Sequence, residues 1–344
     1  VTRGTALRGA FLAAIAEPQS WALALAAFLV RGGVILVALP VLVLPTPVGI
    51  GNVLAPSLMS VAFGQISVGL IAGTVAIAAG VGGWLCIGGW LAALLEAEAA
   101  RMIARDEDVV AMSRIGPVRE LSEGDGGRLD VALGRGLEAA QILVARLIAY
   151  VPLGAALVWG SLRIAVVAYR ELTNPLEAGT PVVVRVVRDA PEVIVAVTVA
   201  WIVGEIIGSL AARRIALAGD GVFAGLRAAL DEVVRRPLAT LARCLVPLAV
   251  LVAVLVPSLL AAGAAWRTVQ AAIGGPDATG LFIAILAFVT LWLIGLLLVA
   301  VVSAWRGAVW TVAVVSAPAT ARRTSDVAVD EARSRRHRGA VPPV

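Results

Sequence analysis

Four side chains stand out because their chemistry conflicts with their surroundings. Glu205 lies in AWIVGEIIGSL, Arg146 in ILVARLIAY, Arg31 in AFLVRGGVILVALP and Arg243 in LARCLVPLAV. An ionised group in hydrocarbon is costly unless it pairs or reaches water, so each is a candidate functional group. Glu205 beside an arginine would form an ion pair that fixes helix register. A carboxylate at that depth can also take part in proton or ion movement. Arg146 is the first candidate partner, since antiparallel neighbouring helices would hold the two at similar depth; Arg31 and Arg243 are the alternatives. Arg31 and Arg243 also suit an inner-rim anchor, with the stem in apolar surroundings and the guanidinium at the headgroups. For Arg31, depth is the difficulty. It is ten residues past Trp21, or about 15 Å along a helix. Either the embedded part starts later, or Arg31 pairs inside the protein, or it belongs to a substrate site.

Much chemistry is excluded by residue type. The one histidine, His337, lies in a basic tail, so no span offers the His base of an intramembrane serine protease, and HExxH is impossible. A phosphate loop needs a lysine, and all 28 basic residues are arginine. Cys86 and Cys244 sit in separate apolar runs, with neither metal-ligand spacing nor a disulfide setting. Glu-Ala-Ala at 98 and 138 resembles the coupling loop of ABC permeases, but Ala104 and Val144 stand where that loop wants glycine. No catalytic, cofactor or metal residue is expected.

The elements that position the charged groups follow from hydropathy. Apolar residues make up 60% of the chain and charged residues 15%, where soluble domains carry roughly a quarter. Continuous apolar runs of membrane-crossing length recur, so the fold expected is an all-α, polytopic helical membrane protein. Barrel strands alternate over short segments and do not fit. Six spans are expected near 21–44, 67–95, 140–166, 193–212, 239–265 and 280–303. No cleavable leader is evident in residues 1–20. The net charge of +5 does not suggest nucleic acid as a partner.

Arginine placement orients the spans. The N-terminal segment, the 96–139 connection, the 213–243 region and the C-terminal segment hold 21 of the 28 arginines. The opposite side holds Arg170, Arg185, Arg188 and Arg267; Arg31, Arg146 and Arg163 lie within spans. The positive-inside rule makes both termini cytoplasmic, which an even number of spans also requires. A bacterial inner membrane is the expected location. Trp21 and Trp305 suit the inner interface and Trp159 and Trp266 the outer one. Trp84, Trp201 and Trp292 are expected to pack between helices.

Two stretches share a scheme. GDGVFAGLRAALDEVVRRPLATLARCLVPLAVLVAVLVP starts at Gly219 and GDGGRLDVALGRGLEAAQILVARLIAYVPLGAALV at Gly124. Each opens Gly-Asp-Gly, continues as an amphipathic segment, then gives Ala-Arg, Val-Pro-Leu and a span. Asp220 or Asp125 is expected to cap the amphipathic helix. The N-terminus repeats the scheme more loosely, with Leu7, Phe11 and Ile15 as its apolar stripe. The chain therefore reads as a three-fold repeat, with units near 4–95, 124–212 and 219–303, each an interfacial helix followed by a two-span hairpin. Residues 1–317 form the membrane domain, and 318–344 a basic, disordered cytoplasmic tail. The uncharged 45–67 connection either caps the outer surface or dips in as a re-entrant segment.

The module at 219–257 resembles that of bacterial six-span proteins such as the membrane domain attached to some glycerophosphodiester phosphodiesterases. The resemblance is one of architecture and carries no site residues; without a soluble catalytic domain it implies no enzyme activity. Two classes of function remain. One is a non-enzymatic assembly, regulatory or lipid-associated membrane protein, whose partners are the lipid bilayer and a membrane protein or second copy. The other is the transmembrane component of a small-molecule or ion transporter.

Overall fold

The computed structural model describes residues 3–42, 64, 68–105, 128–173, 182–273, 275 and 277–316. The 45–67 connection (Gly64 aside), the Gly124-Asp125-Gly126 segment and the 318–344 tail lie outside them. No strand occurs among the described residues, and the protein is an all-α polytopic membrane protein. Among the described residues, six helical stretches are long and apolar enough to cross a bilayer: Pro18–Ala38, Val68–Ala104, Val151–Glu171, Pro191–Ala218, Pro237–Ile273 and Ala278–Val315.

Helix α1 (Arg3–Ala16) precedes the first span. That span is discontinuous: α2 (Pro18–Phe28) gives way to a wide turn at Leu29–Gly33 and then to α3 (Val34–Ala38). The break has a local cause. Gly32 holds φ +108°, a conformation open to glycine and strained for other residues. A methyl on Gly33 would collide with the Phe28 ring and carbonyl. Arg31 therefore sits at a bend in the first span.

Helix α4 (Val68–Ala104) is the second span. Its 37 residues rise about 55 Å, well beyond the roughly 30 Å hydrocarbon core. Helix α5 (Arg128–Ala149) leads through Tyr150 into α6 (Val151–Thr173). Pro152 explains the joint, since it cannot donate to the Ile148 carbonyl and its ring crowds that turn. The third span thus begins at Val151, later than the hydropathy reading, and Arg146 precedes it. A short helix, α7 (Val182–Asp189), follows and was not expected from sequence.

The fourth span, α8 (Pro191–Ala218), starts with proline at its first position, where the missing N–H costs nothing. It stops at Gly219, whose left-handed φ of 69° lets its N–H reach the Ile215 carbonyl at 3.2 Å. Helix α9 (Val222–Arg235) follows. Its N-cap is Gly221, with no side-chain cap hydrogen bond. Asp220 does not cap it; its carboxylate accepts from Arg214 Nε at 2.8 Å. A guanidinium is the stronger donor for a carboxylate one residue too early to reach the helix end. Helices α10 (Pro237–Ile273) and α11 (Ala278–Val315) complete the spans.

The chain divides into two compact units. Unit 1 comprises 1–16, 100–245 and 308–344; unit 2 comprises 17–99 and 246–307. In unit 2, Leu251, Val299 and Val302 form a buried cluster with Leu25, Phe28, Val254, Leu255 and Trp305 against it. Trp292 donates its indole N–H to the Val37 carbonyl at 3.2 Å, satisfying an oxygen at the end of α3. Trp84 departs from expectation: it is half-exposed on α4. In unit 1, Val167, Val186, Ala190 and Val193 hold α6, α7 and α8 together. The last two turns of α11, from Ala308 to Val315, are buried on all sides.

Candidate functional site: the charged groups of the spans

Glu205 lies midway along α8 and is 7% exposed. Its carboxylate accepts a hydrogen bond from the Tyr150 hydroxyl on one oxygen and from Ser209 Oγ, at 3.1 Å, on the other. Ser209 is one helical turn on along α8, and Tyr150 comes from the α5–α6 joint. Two donors on one carboxylate lower the cost of burying it.

Glycine permits this approach. A methyl on Gly204 would come within 2.7 Å of the Tyr150 ring and 3.0 Å of the Ala149 carbonyl oxygen. One turn further, a methyl on Gly208 would meet the Arg146 stem at 3.4 Å, an ordinary contact. The paired glycines of Gly204-x-x-x-Gly208 thus serve close helix packing within the chain. Arg146 is buried and packs by its stem on α8 at Gly208, three residues from Glu205. The two candidates are brought to the same helix crossing, where Glu205 also accepts from two hydroxyls.

Arg31 forms an ion pair with Glu96 near the end of α4, both within unit 2. Of the readings open for Arg31, this is the internal pair. Arg243 has its guanidinium 3.7 Å from Glu232 of α9, which ties the start of α10 to the preceding helix. Each proposed rim arginine therefore has an acidic neighbour.

Further pairs were not read from sequence. Arg101 donates to both Glu138 oxygens at 2.5 Å, linking the end of α4 to α5 within unit 1. Arg163 and Glu192 pair at 2.8 Å across α6 and α8, both half-exposed. Arg185 of α7 and Glu171 of α6 are nearly completely buried, 3.5 Å apart. Sequence offered signals for some of these. Tyr150 falls four residues after Arg146, hence on the same helical face. Glu96 and Glu138 gave no such signal, because their partners are remote in the chain.

Chemically, these are helix-crosslinking arrangements: carboxylates with guanidinium or hydroxyl donors at crossings. No group of three His, Cys, Asp or Glu side chains able to hold a metal occurs among the described residues. Both cysteines are free thiols, Cys86 exposed and Cys244 buried. A scan of protein-family models, a search of curated proteins and a search of solved structures each find no match to the chain.

Proposed function

We propose that the protein is a non-enzymatic assembly, regulatory or lipid-associated component of a bacterial cytoplasmic membrane, with both termini in the cytoplasm. The observation that carries this reading is the two-sided surface of α9. Gly225, Leu226 and Ala229 are buried, with Gly225 against Ile215 of α8, while Phe223, Leu230 and Val234 are exposed. A helix bound to its own protein on one side and apolar on another is suited to holding lipid or a membrane partner. Orientation rests on the arginine distribution and the positive-inside rule. The three-fold repeat and the likeness to the phosphodiesterase-associated membrane domains belong to the same proposal.

The charged groups favour this reading over transport. On the outer side of Glu205, α8 offers a single hydroxyl, Thr198, before Glu192 at the helix start. A polar solute or proton would have few side chains to follow in that stretch. One observation supports transport nonetheless: the first span is broken at a charged residue, as in discontinuous transporter helices.

Native mass spectrometry of the wild-type protein, gently extracted from its own membrane, tests the proposal. A stoichiometric extra protein or lipid is the expected result. A bare chain, together with solute or proton flux in proteoliposomes that Glu205→Gln abolishes, would replace it with the transporter reading.

A further inference from the structure

Three helices that precede spans share an inverted pattern of burial, and all three belong to unit 1. In α1, Ala10, Ala13 and Ala14 are buried while Phe11, Leu12 and Ile15 are exposed. In α5, Ala139, Ile142 and Ala145 are buried while Leu133 and Leu137 are exposed. In α9 the buried set is Gly225, Leu226 and Ala229, and Phe223 reaches 79% exposure and Val234 76%. A helix on a water-facing surface buries its large apolar residues and exposes its small or polar ones. These helices bury mainly alanine and glycine, with Ile142 and Leu226 the large exceptions, and leave most of their large apolar residues outside, so their outward faces suit an apolar medium.

What covers those faces is indicated by continuity. The exposed stripe of α5 runs through Leu137, Val144 and Ile148 and continues in α6 as Val151, Val158 and Leu162. The spacings of 7, 4, 3, 7 and 4 residues are those of one helical face, so the stripe runs from the pre-span helix into the span. Acyl chains cover the α6 part, and the same surface extends onto α5.

Charge gives the second half of the argument. Exposed arginines accompany these groups: Arg8 in α1, in line with Leu12 and Ile15, and Arg227 and Arg235 in α9; Arg135 of α5 is exposed too but lies on the side of Ala139 and Ile142. In α9 the face turns from buried Gly225 and Ala229, through exposed Phe223, Leu230 and Val234, to Arg227 and exposed Asp231. Protein, lipid and water are met in that order around one helix. Arg227 at the edge of its apolar stripe, and Arg8 one turn before Phe11 and Leu12, sit where lipid phosphates lie.

We infer that α1, α5 and α9 form a collar embedded in the cytoplasmic leaflet, with Arg8 and Arg227 binding the phosphates of anionic phospholipids. This rests on the lipid-associated reading above and names its lipid class. The collar's apolar residues enter the acyl boundary, and each arginine contributes about fivefold to the preference for an anionic over a zwitterionic headgroup.

The test uses the full chain in nanodiscs of phosphatidylcholine alone or of equal parts phosphatidylcholine and phosphatidylglycerol. In a Cys86→Ala, Cys244→Ala background, fluorophores are placed by Phe11→Cys, Leu137→Cys, Phe223→Cys and Asp231→Cys, all at exposed positions. Brominated lipid is expected to quench the first three and to spare the fourth. Phosphatidylglycerol retained in native mass spectra is expected to fall in the Arg8→Gln, Arg227→Gln double variant. Equal quenching at Asp231, absence of quenching at the other three, or retention that ignores headgroup charge would each overturn the collar. A co-purifying protein that shields Phe11, Leu137 and Phe223 from lipid would do so too while leaving the assembly role intact. Quenching and phosphatidylglycerol retention without any protein partner would establish the collar and narrow the function to lipid association.

Discussion

At the residue scale, Glu205 concentrates the energetics of the fourth span. Its carboxylate is buried, and its hydrogen bonds to Tyr150 and Ser209 join α8 to the α5–α6 joint. Tyr150→Phe removes one donor and leaves the carboxylate under-satisfied, which costs about 1–3 kcal/mol. Thermal unfolding in detergent should show that loss. Glu205→Gln in the Tyr150→Phe background should cost less than in the wild type, because the hydrogen bond has already gone; additive losses would exclude the coupling. In unit 2, Arg31→Ala leaves Glu96 charged and half-buried, so a greater loss of stability is expected than in Arg31→Ala/Glu96→Ala. Sequence identified Glu205 and Arg31 as anomalies because a charge in an apolar run is visible without a structure. It could not identify their partners. Tyr150 and Glu96 are unremarkable in their own segments, and pairing across a helix crossing depends on rotation that hydropathy does not encode.

At the scale of the element, glycine decides how closely helices approach and where they bend. Gly204→Ala should push α8 from the α5–α6 joint at a cost of about 1–3 kcal/mol, while Gly208→Ala should be near neutral because its neighbour is a flexible stem at 3.4 Å. Thermal melts of the two variants check the contrast. Gly32→Ala should cost about 1–2 kcal/mol through its positive φ alone, since nothing crowds that position. The six spans were legible because each is a sustained apolar run. The bends were harder: Gly32-Gly33 and Pro152 were in view, but the depth at which each interrupts its helix depends on tertiary contacts. Helix α7 was hidden for a different reason. VVVRVVRD reads as a β-branched run, and its helical state comes with the burial of Arg185 and Val186 beside α6 and α8.

At the scale of the molecule, the orientation makes a direct prediction. Green fluorescent protein fused after Gly219 or after Ser316 should fluoresce, and fused after Gly275 should not, because only cytoplasmic fusions mature. The reverse pattern would invert the topology. The division into two units carries a consequence for biogenesis. Residues 3–16 and 308–315 belong to the same unit, although five spans and most of the sixth separate them in the chain. Ala308, Trp310 and Thr311 are buried within it. Unit 1 therefore cannot close while the chain is being made. Its first helix must wait at the membrane through the insertion of every span, and the final turns of α11 complete its interior. A chain cut short at Gly307 would carry all six hydrophobic segments into the bilayer and still present a hollow unit to the cell's proteases. The last two turns of α11 are therefore expected to be required for unit 1 to close.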